Sequence, residues 1–242
     1  NNIIWSKNLQ FSSNGGHKSV ITSVDIVGDT IFGCGWIEFG SSMIGAAYFK
    51  INATTGVPYW IRSETSSNLY FSACKYYNGK YFLVGAQNQN GKVVCVESSS
   101  GNIIWETNSM AILFAPAMNH VDDFLGATDM INGKMFITGR SYINGVSNLD
   151  MRPVLIGIDE LGNVFLQKYL LLNENDPGID RFYGMSIAYH GNSSVVVAYF
   201  GDDNYVGTSD YKVGMTKTDL QGNVLFSVWS KILHPLHGRI CS

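Results

Sequence analysis

The residues best suited to chemistry lie in two acidic stretches, 173–180 (NENDPGID) and 201–210 (GDDNYVGTSD). Both stretches combine carboxylate and amide oxygens with glycine, a mixture that is typical of calcium-binding loops. Neither stretch follows the D-x-D-x-D-G spacing of an EF-hand loop. We therefore expect solvated loops and no cofactor, with a calcium ion as the alternative and no metal ligands assigned.

The histidines offer two further candidates for chemistry. His120 lies beside Asp122 and Asp123, an arrangement that suits acid–base work, but a polar loop that leads into a strand explains the same residues. His234 and His237 are three residues apart and have no third ligand nearby, so no zinc site is predicted. Since the chain also lacks a nucleophile motif and a phosphate-binding loop, we expect no enzyme and assign no catalytic residue.

Composition narrows the classes of partner. Only 14% of the 242 residues are charged and the net charge is −3, so the chain has no basic footprint for nucleic acid. It also has no apolar run long enough to insert into a membrane. Three of the four cysteines lie in predicted strands and are interpreted as small buried hydrophobes: Cys34, Cys74 and Cys95. Without an initiator methionine or a signal peptide, the chain is expected to be a processed or excised piece.

The element that must position any site is a repeated turn followed by a strand. The run ESSSGNIIW ends at Trp105 and recurs as NATTGVPYW, DELGNVFL and DLQGNVLF, and a shortened copy, NNIIW, ends at Trp5. The turn glycines are spaced by 45, 61 and 60 residues: Gly56, Gly101, Gly162 and Gly222. Repeats that are 45 to 61 residues apart and consist of short strands predict an all-β propeller of four-stranded antiparallel blades.

The blades are predicted at residues 19–64, 69–108, 122–171 and 181–230, in one domain that covers residues 1–232. Residues 2–9 form an extra outer strand, and residues 233–242 form a tail. Because the fourth blade already has an outer strand, the sequence predicts an open arc, a part of a larger ring, or a ring that a partner chain completes. A four-bladed ring with the N-terminal strand left over is the alternative.

Local patterns within the blades agree with this prediction. The pairs Asn78-Gly79 and Asn90-Gly91 are both predicted to form two-residue hairpin turns, since asparagine and glycine tolerate positive φ. The second strands share a Phe-x-x-Gly pattern, which the fourth unit loosens: Phe32 and Gly35, Phe82 and Gly85, Phe136 and Gly139, then Val195 and Ala198. No segment of useful length has a helical period.

The first two turns resemble the PQQ-type propeller repeat, A-x-D-x-x-T-G-x-x-x-W, at Thr55, Gly56 and Trp60 and again at Gly101 and Trp105. In that family the tryptophan docks on the neighbouring blade, which implies this role for Trp5, Trp60 and Trp105. The last two turns are similar instead to the D-x-x-G-N repeats of large bacterial surface and secreted propellers. These resemblances imply a protein that is extracellular or at the cell surface, with the periplasm as the other compartment.

Function is expected at the blade ends where the connections are long and variable, because recognition usually lies on loops that a rigid scaffold holds. These loops carry aromatic and acidic side chains suited to a protein or carbohydrate partner: Phe39, Phe114, Tyr142, Tyr205, Asp150, Asp176, Asp202 and Asp203. The loops alternatively pack on other domains or chains. The hypothesis is a non-catalytic binding or scaffold module. The alternative is an enzyme with a site in the axial funnel, either resembling quinone-dependent dehydrogenases or acting on polysaccharide.

Overall fold

The computed structural model describes residues 5–6, 9, 18–39, 43–65, 68–88, 90–108, 122–142, 151–170, 181–203 and 210–232. Every regular element in these ranges is a strand. The first two blades comprise β1 Ser19–Val27, β2 Thr30–Phe39, β3 Met43–Asn52, β4 Pro58–Glu64, β5 Leu69–Tyr77, β6 Lys80–Gln87, β7 Asn90–Glu97 and β8 Ile103–Asn108. The last two comprise β9 Asp122–Ala127, β10 Lys134–Tyr142, β11 Met151–Asp159, β12 Val164–Tyr169, β13 Arg181–His190, β14 Ser194–Asp203, β15 Asp210–Asp219 and β16 Val224–Ile232.

Each blade is a four-stranded antiparallel meander, which confirms the predicted fold class. The strand orders are β1-β2-β3-β4 in blade one and β5-β6-β7-β8 in blade two. Blades three and four have the same internal order, and one parallel pair, Met151 with Arg181, joins them into a single sheet. The first strand of each blade is called its inner strand below, and the fourth its outer strand.

The hairpin turns confirm one of the two Asn-Gly predictions. Asn78 and Gly79 have φ values of 49° and 79°, as a turn with two left-handed residues requires. The other prediction is wrong, because Asn90 and Gly91 lie inside β7 and the turn is two residues earlier, between Gln87 and Asn90. Gly91 serves packing instead, since a Cβ there would lie 2.6 Å from the Phe124 ring of blade three.

A β-bulge occurs at the same place in every inner strand, at Thr22, Ser72, Leu125 and Met185. In blades one and two the bulge points a hydroxyl at the next inner strand. Thr22 Oγ1 donates a hydrogen bond to the Phe71 carbonyl at 2.6 Å, and Ser72 Oγ donates to the Phe124 carbonyl at 2.7 Å. The bulges therefore tie successive inner strands together.

The glycines of the second strands are explained by the same bulges. A Cβ at Gly35, Gly85 or Gly139 would lie 1.9 Å from an inner-strand carbonyl oxygen. In blade four the strand register places Val196 and Tyr199, not Val195 and Ala198, in the phenylalanine and glycine positions, so the predicted alignment is wrong by one residue. In blade four the glycine of this pair is on the inner strand and not on the second strand, because Gly184 is opposite Tyr199.

The D-x-x-G-N turns are stabilised by their first residue. Asp159 Oδ1 accepts hydrogen bonds from the backbone N–H groups of Leu161 and Asn163 at 2.9 and 2.8 Å, and Oδ2 accepts one from Asn163 Nδ2. Asp219 makes the same three contacts with Gln221 and Asn223. The motif is thus a side-chain-capped turn whose residues have structural roles.

Tryptophan side chains connect the turns of blades two and three to the blade before each of them. Trp60 Nε1 of β4 donates a hydrogen bond to the Ser98 carbonyl in the turn of blade two at 3.1 Å. Trp105 Nε1 of β8 donates to the Glu160 carbonyl of blade three at 3.3 Å. The turn glycine leaves room for the ring, since a Cβ on Gly101 would lie 2.9 Å from Trp60 Cε3. We call this arrangement the docking contact.

Between the blades lie apolar cores, and the docking contact closes the first two of them at one end. The core between blades one and two includes Phe32, which stacks on Tyr81 with ring centroids 3.6 Å apart. A second core joins blades two and three around Phe124, and a third joins blades three and four around Phe136 and Ile187. Cys34, Cys74 and Cys95 are buried free thiols in the first two cores.

The described blades form an open arc. Blade one packs on blade two, two on three and three on four, whereas no comparable packing among the described residues joins blade four to blade one. Large apolar side chains are exposed on both ends of the arc: Val20, Ile21, Val24, Ile26 and Val27 in β1, and Val213, Met215, Val224, Leu225, Phe226 and Val228 in β15 and β16.

Replacing Trp60 with alanine should lower the free energy of unfolding by about 3–5 kcal/mol, because the variant loses a buried ring and its hydrogen bond. The matched control is Phe226→Ala at the equivalent position of blade four, where the exposed ring should cost less than about 1 kcal/mol. Urea denaturation followed by circular dichroism measures both. Equal losses at the two positions would contradict the docking role.

Candidate binding site at the long-loop face

One end of every blade carries the connections between its second and third strands and the connections to the next blade. We call this end the long-loop face. Its loops are shorter than predicted, because β10 reaches Tyr142 and β14 reaches Asp203. Asp202 pairs with Tyr211 and Asp203 with Asp210, so both aspartates belong to a strand and not to a loop. The antiparallel ladder simply continues past the predicted strand ends.

The predicted site residues fall into two groups. Phe39, Tyr142, Asp202 and Asp203 are placed by their backbone at strand ends of the long-loop face. Phe114, Asp150, Asp176 and Tyr205 lie outside the described residues, as does the stretch 173–180. The role of both groups as ligand contacts stays a prediction.

Described side chains at the same face form an inner cluster of Tyr70, Asp123 and Arg140. Asp123 on the inner strand β9 is opposite Arg140 on β10. Arg140 Nε donates a hydrogen bond to Asp123 Oδ2 at 2.6 Å, and the terminal nitrogen Nη2 contacts the same oxygen. The Asp123 side chain is only 5% exposed, whereas 30% of the Arg140 side chain is exposed, so the guanidinium is the accessible member of the ion pair.

Tyr70 joins this ion pair from blade two. It precedes Phe71 in β5 as Asp123 precedes Phe124 in β9, so the two residues occupy equivalent inner-strand positions. Burial raises the pKa of Tyr70, and so do the negative charge of Asp123 and a hydrogen bond to it, while Arg140 lowers it. The phenol therefore stays protonated at neutral pH and can donate.

An outer cluster of Tyr48, Glu64, Lys92 and Glu106 lies between blades one and two. Lys92 is buried, and its Nζ lies 3.1 Å from both Glu106 Oε2 and Gln87 Oε1. Burial raises the pKa of Glu64, as does the Glu106 carboxylate, against the opposing effects of Lys92 and a hydrogen bond from Tyr48. Burial and then Glu64 raise the pKa of Tyr48 to about 12.

The two clusters differ in what they offer a ligand. The inner cluster presents an arginine, a tyrosine and a carboxylate whose charges compensate each other, which suits hydrogen bonding to neutral polar groups. The outer cluster places two carboxylates near one buried ammonium group, and one of the carboxylates is held closer to its protonated form. Sequence inspection noticed Asp123 beside His120 but missed Arg140, Tyr70 and the whole outer cluster. The sequence signal that could have revealed these residues is a charged side chain at a strand position where the alternating pattern predicts an apolar one.

No group of three histidine, cysteine, aspartate or glutamate residues in the described ranges could hold a metal ion. His120, His234 and His237 lie outside those ranges, and the stretch 201–210 is described only in part. The calcium hypothesis is therefore untested. No helix in the described part of the chain is long and apolar enough to cross a membrane.

No protein-family model matches this chain, and no curated protein matches it. Solved structures do. The chain is similar to Bacillus subtilis arabinanase Arb43A, with 10% identity, coverage of 84% of this chain and 74% of that one, and a TM-score of 0.43. It is similar to a subtype N11 neuraminidase-like protein of A/flat-faced bat/Peru/033/2010, with 12% identity, coverage of 90% and 64%, and a TM-score of 0.49.

A third similar structure is the WD40 β-propeller domain of Doa1, with 7% identity, coverage of 88% and 83%, and a TM-score of 0.38. Identities this low concern the fold and say nothing of a ligand or a reaction. The meander blades and their succession make this chain a β-propeller-type protein of about four blades.

Replacing Glu64 with glutamine should flatten the dependence of stability on pH. Because the pKa of Glu64 is higher in the folded than in the unfolded state, the folded protein binds more protons at pH values between the two pKa values. Stability therefore falls as the pH rises through that range. Glutamine does not titrate, so the variant does not lose this stability. Its free energy of unfolding relative to that of the unmutated protein should increase from about pH 4 to about pH 8. Urea denaturation at both pH values tests this, with the exposed Glu97→Gln as control; a difference that does not change with pH would refute it.

Proposed function

We propose that this protein is a non-catalytic binding module that recognises a protein or carbohydrate partner through its long-loop face. The observation that carries the proposal is the inner cluster. Blades two and three bring Tyr70, Asp123 and Arg140 together at the start of the inner strands, where they lie beside the loops of that face.

The chemistry of the inner cluster favours a neutral ligand rich in hydroxyl or amide groups. Part of the Arg140 side chain is accessible to a ligand, and Tyr70, whose O–H is donated to Asp123, offers its oxygen as an acceptor together with an aromatic face. The ion pair with Asp123 fixes the guanidinium, so a ligand meets a preorganised donor and little side-chain entropy is lost on binding. Carbohydrate is accordingly the partner to test first.

The setting that we propose is outside the cell or at the cell surface, with the periplasm as the alternative. The support is the similarity of the D-x-x-G-N turns to those of secreted bacterial propellers and the low content of charged residues. Other domains or chains are proposed as neighbours of the arc.

The double variant Asp123→Asn, Arg140→Gln should weaken binding by about tenfold or more, equivalent to ~1.4 kcal/mol, without leaving a buried charge unpaired. A glycan array identifies the ligand, and calorimetry measures the affinity. The matched control is Lys75→Gln with Asp129→Asn, which removes a 2.8 Å ion pair between the same two blades away from the long-loop face. A control that weakens binding as much as the test variant would show the inner cluster to be irrelevant.

Replacing residues 143–150 and 204–209 with short Asn-Gly turns should leave the fold intact and weaken binding, since the flanking strands are already paired up to these loops. Circular dichroism checks the fold, and the same calorimetry measures affinity. If binding survives both replacements and fails when turns 159–162 and 219–222 are altered instead, the partner binds the opposite face.

An enzyme that acts on polysaccharide is the second candidate, and the outer cluster favours it. Glu64 has a raised pKa beside the Glu106 carboxylate, the kind of pair that glycoside hydrolysis uses. Both residues lie on outer strands, β4 and β8, and not at the axial funnel where the sequence had placed an enzyme site. Loss of polysaccharide cleavage in Glu64→Gln would support this candidate. A quinone-dependent enzyme is tested separately, by the absorbance and stability of the protein with added PQQ and calcium.

A further inference from the structure

Trp5 makes the docking contact on blade one. Its Nε1 donates a hydrogen bond to the Ala53 carbonyl at 2.8 Å. Ala53 follows Asn52 in the turn of blade one as Ser98 follows Glu97 and Glu160 follows Asp159 in the next two turns. Trp5 therefore occupies the docking position that Trp60 and Trp105, each on the outer strand of a preceding blade, take at the first two blade boundaries.

This segment has the sequence of an outer strand but no strand partner among the described residues. Residues 2–5 read NIIW, identical to residues 102–105 at the start of β8. In blade two that run pairs with the third strand β7. Trp5, Ser6 and Leu9, the described residues of this segment, are in no strand. A blade with this segment as its outer strand needs three further strands.

The two ends of the arc are suited to hold those strands. Ile21 and Val24 of β1 are 51% and 55% exposed, whereas their equivalents Phe71 and Cys74 in blade two are fully buried against blade one. These faces continue the series of interfaces that already join the blades.

On the other end, Phe226 occupies the tryptophan position of β16 and is 48% exposed, against 8% for Trp60. Met215 is 47% exposed, while its equivalent Leu155 in blade three is fully buried. An apolar sheet that inserted here would cover both residues.

A second copy of the chain does not fit this gap. If two arcs closed on each other, Phe226 of one copy would meet the turn of blade one in the other. Trp5 already fills the docking position on that turn through its bond to Ala53. An intervening blade that lacks its own outer strand would leave Trp5 in its docking position.

We propose that the gap between blades four and one is a docking site for a three-stranded antiparallel β-meander. Its third strand pairs with the N-terminal segment, and its two apolar faces cover β1 on one side and β15 and β16 on the other. The partner is thus a further propeller blade in three strands, which completes a fifth blade together with residues 2–9.

The test adds such a meander to the whole protein. Residues 69–101 are duplicated in front of Asn2, so the added copy of β7 leads through its own SSSG turn into NIIW, as in blade two. Hydrogen exchange followed by mass spectrometry is measured on both proteins. We expect exchange in β1 and β16 to slow by about tenfold or more in the extended protein, because both faces become buried.

The matched control is the same extended protein with Phe226→Asp, which should leave β16 unprotected while β1 stays protected. Exchange in β5–β8 reports whether the original blades remain folded. If the original blades are folded and neither β1 nor β16 gains protection, the proposal fails. It also fails if the original protein sediments as a dimer in which β1 and β16 are already protected, since a second copy would then be the occupant.

Discussion

The structure depends on one contact that occurs at the first two blade boundaries: an indole N–H of one outer strand bonded to a turn carbonyl of the next blade. The geometry needs a tryptophan at the end of a strand, a turn that exposes its carbonyl, and a glycine whose missing side chain leaves room for the ring. Each blade has two apolar faces and cannot bury them alone. The docking contact fixes the orientation in which the next blade covers them.

The third boundary shows what happens when the tryptophan is absent. Leu166 replaces it and lies near Gly222, where a Cβ would be 3.3 Å from the leucine methyl carbons. Lys168 adds a hydrogen bond from Nζ to Asn223 Oδ1 at 3.0 Å. Blades three and four also share a parallel strand pair, which occurs at no other boundary among the described residues. Packing and a polar contact thus take over from the indole hydrogen bond, and the two repeat types can coexist in one arc.

Much of this architecture could be predicted from the sequence. The turn-and-strand repeat with its period, the Asn78-Gly79 turn and the Phe-x-x-Gly pattern were enough for all-β meander blades, because each is a local requirement of backbone conformation or spacing. The small residue of the fourth blade could not be located in this way, because it is Gly184 on the inner strand and not a residue of the second strand. Only the strand register shows that Gly184 is opposite Tyr199.

The sequence by itself thus determined the meander blades, their order along the chain, and the Asn78-Gly79 and D-x-x-G-N turns. Only the tertiary structure decided which side chains meet at the long-loop face, because Tyr70, Asp123 and Arg140 come from two blades whose relative position depends on packing. It also decided that Asn90-Gly91 is not a turn, since the ring of Phe124 from the next blade needs the space beside Gly91. Local sequence specifies backbone conformation, whereas contacts between distant segments depend on how the blades pack.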